Sequence, residues 1–133
     1  MRQNSPQDHE SRKTIIVTDD DPSVRSVIRF ALESRGYGVI EASDGSEVLR
    51  LSELRTASLL ITDIVMPNVE GTELIMQVRR SRPELPILAL SGGPSMGRDV
   101  YLTVASKVGA QRTLAKPFAP SVLLQVVHEL LGD

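Results

Sequence analysis

The sequence has no cysteine and no tryptophan. Without thiols there is no disulfide framework, no thiolate zinc site and no cysteine nucleophile. Its aromatic side chains are Phe30, Tyr37, Tyr101 and Phe118, too sparse for the stacking platforms that hold single-stranded nucleic acid. No charge excess of one sign is present: 15 basic and 17 acidic side chains leave a formal net charge of -2. That balance disfavours a binder of phosphate backbones. Long apolar runs are missing as well. No stretch approaches the roughly 18 apolar residues that span a bilayer, and the N-terminal residues lack the apolar centre of a signal peptide. These absences predict a cytoplasmic protein that contacts neither nucleic acid nor membrane.

What is present is ordinary for a folded soluble chain. Hydrophobic residues make up 41% and charged residues 24% of 133 residues, enough to build a single core. Residues 1–12 are polar and aperiodic and are expected to form a disordered tail, with one domain over 13–131. From Lys13 onward short β-branched runs alternate with helical periodicity. Strands are predicted at 14–18, 38–42, 58–62, 86–90 and 112–115. The first helix opens at Pro22, carries Val24, Val27, Ile28, Ala31 and Leu32 at helical spacing, and ends near Gly36. A second begins at Asp44 with Val48, Leu49, Leu51 and Leu54 as its apolar positions. A third is predicted over 70–81 and a fourth over about 98–108. A fifth, over 120–131, has Val122, Leu123, Val126, Val127, Leu130 and Leu131 on one stripe. Five strands each followed by a helix give an α/β fold, a doubly wound five-stranded parallel sheet with five helices.

Ligands of such sheets sit beyond the carboxyl ends of the strands, so the residues there decide the function. Strand one runs into Asp19-Asp20-Asp21, strand three into Asp63, strand four into Ser91, and strand five into Lys116-Pro117. Carboxylates gathered in a partly desolvated pocket repel one another and invite a hard divalent cation with oxygen ligands. Lys116 adds a compact positive charge and Ser91 a hydroxyl. This inventory suits phosphoryl transfer onto a carboxylate: Asp63 as nucleophile, Asp20 and Asp19 for Mg²⁺, Lys116 and Ser91 for the phosphoryl oxygens. It does not suit dinucleotide or nucleoside triphosphate binding, for which no Gly-x-Gly-x-x-Gly or Walker loop is present. Val65 stands where a haloacid-dehalogenase phosphatase needs a second aspartate.

The run Ile16-Val17-Thr18-Asp19-Asp20-Asp21-Pro22-Ser23-Val24-Arg25 resembles the opening of a response regulator receiver domain. Asp63-Ile64-Val65-Met66-Pro67-Asn68-Val69-Glu70-Gly71 is similar to that family's phosphoacceptor loop, and Lys116-Pro117-Phe118 to its closing motif. The resemblance covers about 13–131 and implies a stand-alone, flavodoxin-like receiver with strand order 2-1-3-4-5. It implies that Asp63 accepts a phosphoryl group from a histidine kinase or histidine phosphotransfer protein. Asp19, Asp20, Asp63 and the backbone carbonyl of Val65 would organise Mg²⁺, Ser91 would be the switch hydroxyl, and Lys116 would precede a cis Pro117. Output would come by binding another protein. The second reading is a relay that returns the phosphate from Asp63 to a phosphotransfer histidine. Beyond acting on its own Asp63, the chain is not expected to be an enzyme.

Departures from the family pattern sharpen these expectations. Thr113 stands where an aromatic switch residue is frequent, so coupling to Ser91 cannot run through an aromatic ring there. The stretch from Ser91 to Lys116 is longer than usual by roughly one helical turn. Val65 and Gly93 hold the positions that flank the hydrolytic water and cannot orient it, which predicts slow loss of phosphate. Asp21 is read as a helix cap, His128 as a surface residue, and Phe30 as either a flank of the core or part of a partner-facing surface. The predicted fourth helix, with Val100, Tyr101, Leu102, Val104, Ala105 and Val108, carries more apolar surface than one face requires.

Overall fold

The computed structural model describes residues 12–64, 71–91 and 109–132. Its strands are β1 (Thr14–Thr18), β2 (Gly38–Ala42), β3 (Leu59–Asp63), β4 (Ile87–Ser91) and β5 (Arg112–Ala115). All pair in parallel in the order β2-β1-β3-β4-β5. The order reverses between β1 and β3, so the carboxyl ends of these two strands flank the switch point at which such sheets bind ligands. The helices are α1 (Pro22–Glu33), α2 (Gly45–Arg50), α3 (Gly71–Ser81) and α4 (Pro120–Leu131), with a 3-10 turn at Ser52–Arg55. The predicted fourth helix lies outside the described residues.

Side-chain alternation along the strands splits the core in two. Ile15, Val17, Leu59, Ile61, Leu88 and Leu90 face α1 and α4, meeting Ile28, Leu32, Leu123 and Val127. Ile16, Leu60, Ile87 and Ala89 face α2 and α3, meeting Val48, Leu74, Ile75 and Val78. Residues of β3 and β4 are buried throughout, as central strands covered on both faces must be. Lys13 Nζ donates to the Leu131 carbonyl at 3.3 Å, tying the start of β1 to the end of α4.

Three elements have boundaries that differ from the sequence reading. β3 and β4 each start and end one residue later than predicted. Pro86 has no N–H to donate and only accepts, from Leu60 N at 3.1 Å; at the other end the Ile64 N–H still reaches the Leu90 carbonyl at 3.0 Å. Asp63 and Ser91 are therefore the last residues of their strands. The second helix stops at Arg50 because Leu51 is extended (ψ 127°). A continuous helix would carry Leu54 about 120° around from Val48; the break returns Leu54 to the core, where it is buried. On α4, Leu123, Val126 and Val127 are buried, but Val122 in the first turn is exposed. The end of α1 follows prediction, with Gly36 at φ +88°, a conformation that costs glycine little. No helix among the described residues is long and apolar enough to cross a membrane.

Candidate functional site

The site stands on the carboxyl ends of four neighbouring strands. β1 delivers Asp19 and Asp20, β3 Asp63, β4 Ser91, and the residue after β5 is Lys116. Asp19 and Asp63 are buried, at 0% and 4% exposure, whereas Asp20 faces solvent. One carboxylate oxygen from each of Asp19, Asp20 and Asp63 can be chosen so that all three lie within 4.8 Å of one another. Lys116 Nζ donates to Asp19 Oδ2 at 2.6 Å and to Asp63 Oδ2 at 3.1 Å. The Lys116–Pro117 peptide is cis.

The electrostatics follow from this packing. Burial is the largest influence on Lys116 and favours its neutral form. The hydrogen bond from Lys116 to Asp19, with the charges of Asp63 and Asp19, outweighs burial and holds the ammonium above the ordinary lysine range. Three carboxylates against one ammonium still leave the pocket negative. The donor set therefore fits a hard divalent cation, which prefers carboxylate oxygens and offsets their repulsion. Ser91 gives a second sign of an unfilled requirement. Its Oγ is buried with no hydrogen-bond partner among the described residues, an arrangement that costs about 1–3 kcal/mol unless a further group engages it.

The backbone around these groups is held locally. Asp19 Oδ1 accepts from the Asp21 N–H at 2.9 Å. Asp21 in turn caps α1: its Oδ1 accepts from the Ser23 N–H at 2.9 Å and from Ser23 Oγ at 2.7 Å. These hydrogen bonds hold its carboxyl below the usual aspartate value, so the assignment of Asp21 to capping stands. The Lys116 N–H reaches the Ser91 carbonyl at 3.3 Å, and Thr62 Oγ1 donates to the Asp63 carbonyl at 3.0 Å.

Asp19, Asp20, Asp63, Ser91 and Lys116 thus meet at the strand ends as the sequence predicts. Val65 and Gly93 lie outside the described residues. Thr113 lies within β5, paired with Ala89 and half-buried. His128 is exposed on α4. Phe30 is 79% exposed, so it does not flank the core. With Val27, Ala31, Pro120 and Leu124 it lines an apolar groove of about 430 Å³ between α1 and α4.

Two residues were not singled out by the sequence. Gly71 opens α3, and a Cβ there would fall 2.6 Å from Ile64 Cα and closer still to the Asp63 carbonyl. Arg25 Nη1 donates to the Asp19 carbonyl at 2.6 Å. Both residues stand inside the motifs quoted above, but each contact joins segments separated by a loop, and a motif alone does not say what its residues touch.

Comparison with known proteins agrees with this geometry. Residues 15–128 match the model of the family described as the response regulator receiver domain. The chain is 33% identical over 108 residues to the alkaline phosphatase synthesis transcriptional regulatory protein PhoP of Bacillus subtilis, covering 81% of this chain and 44% of that protein. It is 36% identical over 117 residues to the response regulator MprA of Mycobacterium leprae, covering 88% of this chain and 50% of that one. The chain thus spans half or less of the length of these curated relatives. Among solved structures, the Vibrio cholerae chemotaxis protein CheY4 superposes with a TM-score of 0.82 at 29% identity, covering 91% of this chain and 100% of that one. With the acidic pocket, the lysine and the hydroxyl at its strand ends, the chain belongs to the response regulator receiver domain family of two-component signalling, phosphorylatable on aspartate.

Proposed function

We propose that the chain is a phosphorylation-dependent switch in which Asp63 accepts the phosphoryl group from a phosphohistidine on a histidine kinase or phosphotransfer protein. One Asp63 oxygen attacks phosphorus, the N–P bond breaks, and the imidazole nitrogen leaves with the bonding pair. Asp19, Asp20 and Asp63, with the Val65 carbonyl implied by the family pattern, would hold Mg²⁺. When bound, Mg²⁺ supplies neutralisation of the charge spread over the transferring oxygens. The Lys116 ammonium then remains the protein's own cation for a phosphoryl oxygen, and Ser91 Oγ gains a partner that none of the described residues provides. Because that partner exists only in the phosphorylated state, phosphorylation favours whichever arrangement brings Ser91 and Lys116 onto it.

The observation that carries this reading is the Lys116 ammonium lying between Asp19 and Asp63 at the strand ends, where Ser91 adds a buried hydroxyl with no hydrogen-bond partner among the described residues. The apolar groove lined by Val27 and Phe30 supports docking of a donor helix beside α1. Signalling by contact with another protein, in the cytoplasm, is the output that fits best. Catalysis is confined to phosphotransfer onto Asp63 and the slow hydrolysis of that aspartyl phosphate, which frees the carboxylate and releases inorganic phosphate. The test is labelling of the purified chain with a small phosphodonor and Mg²⁺. Wild type gives acid-stable, hydroxylamine-labile phosphate, and Asp63→Asn gives none; retained label in the variant would move the acceptor elsewhere.

A further inference from the structure

We infer that Arg25 is a positioning residue for the metal site, setting the peptide that presents Asp20. This rests on the reading of Asp19, Asp20 and Asp63 as the Mg²⁺ site. The Asp19 carbonyl and the Asp20 N–H belong to one peptide plane, and that plane is rigid. Whatever holds the carbonyl therefore fixes the direction in which the chain enters Asp20. The β1–β2 ladder ends at Thr18 and Ala42, and past it the Asp19 N–H reaches the Ala42 carbonyl only at 3.4 Å. The strong restraint comes from Arg25, whose Nη1 meets the Asp19 carbonyl at 2.6 Å.

Arg25 is itself held. Its Nε donates to Glu41 Oε1 at 3.0 Å, with the two side chains 16% and 25% exposed. Glu41 lies on β2 on the same face as the buried Val39, toward α1. Its other oxygen accepts from Arg29 Nη1 at 3.0 Å, one turn further along α1. The Arg25 N–H bonds the Asp21 carbonyl at 3.2 Å, so the guanidinium rises from the helix turn that Asp21 caps. A planar fork can serve the carboxylate and the carbonyl together; a lysine, with a single nitrogen, cannot reproduce that geometry. The Asp19 side chain is fixed separately by Lys116 and the Asp21 N–H. Asp20 faces solvent, and the peptide held by Arg25 leads directly into it.

Charge and position predict opposite signs. Removing a cation near the site tightens binding of a dication by Coulomb's law alone, whereas loosening the Asp20 peptide weakens it. The experiment is calorimetric titration of the whole chain with Mg²⁺ for wild type, Arg25→Ala, Arg25→Lys and Arg29→Ala, with urea unfolding in EDTA alongside. Arg25→Ala is expected to weaken Mg²⁺ binding about tenfold or more, the usual effect of losing an outer-shell partner. Arg25→Lys weakens it as well despite keeping the charge. Arg29→Ala, whose contact with Glu41 is more exposed, changes it little. Arg25→Ala or Arg25→Lys binding as tightly as wild type or tighter, with only the unfolding midpoint moved, would reduce Arg25 to a structural role and overturn the inference. If Arg25→Ala does not fold, Arg25→Lys decides by the same readout. A wild-type chain that takes up no Mg²⁺ overturns the metal reading itself, and this one with it.

Discussion

Gly71 begins α3 directly against the end of β3: its N–H bonds the Ile64 carbonyl at 3.0 Å, and a Cβ on it would collide with the Asp63 carbonyl oxygen. The obstacle is backbone on the phosphoacceptor residue, which cannot move aside as a side chain would. Gly71→Ala must therefore push α3 away from the sheet. Alanine's better helix propensity, about 1 kcal/mol in a helix interior, counts for less at this first position. Overpacking of this kind costs about 1–3 kcal/mol. We expect a lower urea midpoint with an unchanged m-value, and slower labelling by a small phosphodonor because Asp63 moves with its carbonyl. A midpoint equal to wild type would show that α3 accommodates the methyl group.

Lys116 and Mg²⁺ share one task, offsetting the charge on Asp19, Asp20 and Asp63. Millimolar Mg²⁺ should raise the melting temperature of wild type, because only the folded chain assembles the ligand set. Lys116→Ala removes the ammonium that bridges the buried Asp19 and Asp63. Losing one partner of a buried ion pair costs about 3–5 kcal/mol, and less here because Lys116 keeps access to solvent. The variant should melt lower in EDTA and gain more from Mg²⁺ than wild type does. Scanning calorimetry in EDTA and in Mg²⁺ measures both effects, and an absence of any shift in wild type would remove the metal assignment.

How much of this was legible in the sequence depends on the range of each interaction. Strands β1, β2 and β5 and the start of α1 followed from local β-branched runs and the Asp21-Pro22 cap, and Asp63, Ser91 and Lys116 were placed because strand ends converge in a parallel sheet. The break at Leu51 is not legible because Val48, Leu49, Leu51 and Leu54 read as the apolar positions of a single helix, and only the packed core requires Leu54 to return to the face of Val48. The exposure of Phe30 was left open because it depends on how α4 packs beside α1. Arg25 went unread because its partners, Glu41 and the Asp19 carbonyl, become neighbours only when β2 pairs with β1. Gly71 stood inside a recognised motif, but its role depends on the closeness of α3 to Asp63.

Glu41 makes stability depend on acid. Its carboxyl is held below the ordinary glutamate value of 4.5 chiefly by the Arg29 hydrogen bond, against desolvation, with Arg25 adding to the effect. A carboxylate with a depressed folded value binds its proton more readily when unfolded. Its contribution is therefore complete above about pH 4.5 and is lost as pH falls through the lower folded value. Glu41→Gln should be less stable than wild type at neutral pH, and the gap should narrow on acidification below about pH 4.5. Urea midpoints of both proteins across that range measure it; a constant gap would mean that the stabilisation does not come from the ionised carboxylate.

The phosphorylated state is expected to be long-lived. Hydrolysis of an aspartyl phosphate needs a water aligned opposite the bond to Asp63, and a positioned polar side chain accelerates such a step. The family pattern puts Val65 and Gly93 beside that water's path, and neither side chain offers a donor or acceptor. Loss of phosphate from the purified, labelled chain should therefore take minutes or longer. Val65→Asn supplies an amide at one of the two positions and should shorten the lifetime severalfold while leaving the rate of labelling nearly unchanged, since attack by Asp63 does not use the water. A wild-type lifetime of seconds would place the water under the control of some other group. An unchanged lifetime in Val65→Asn would mean that the side chain at this position does not govern the reaction.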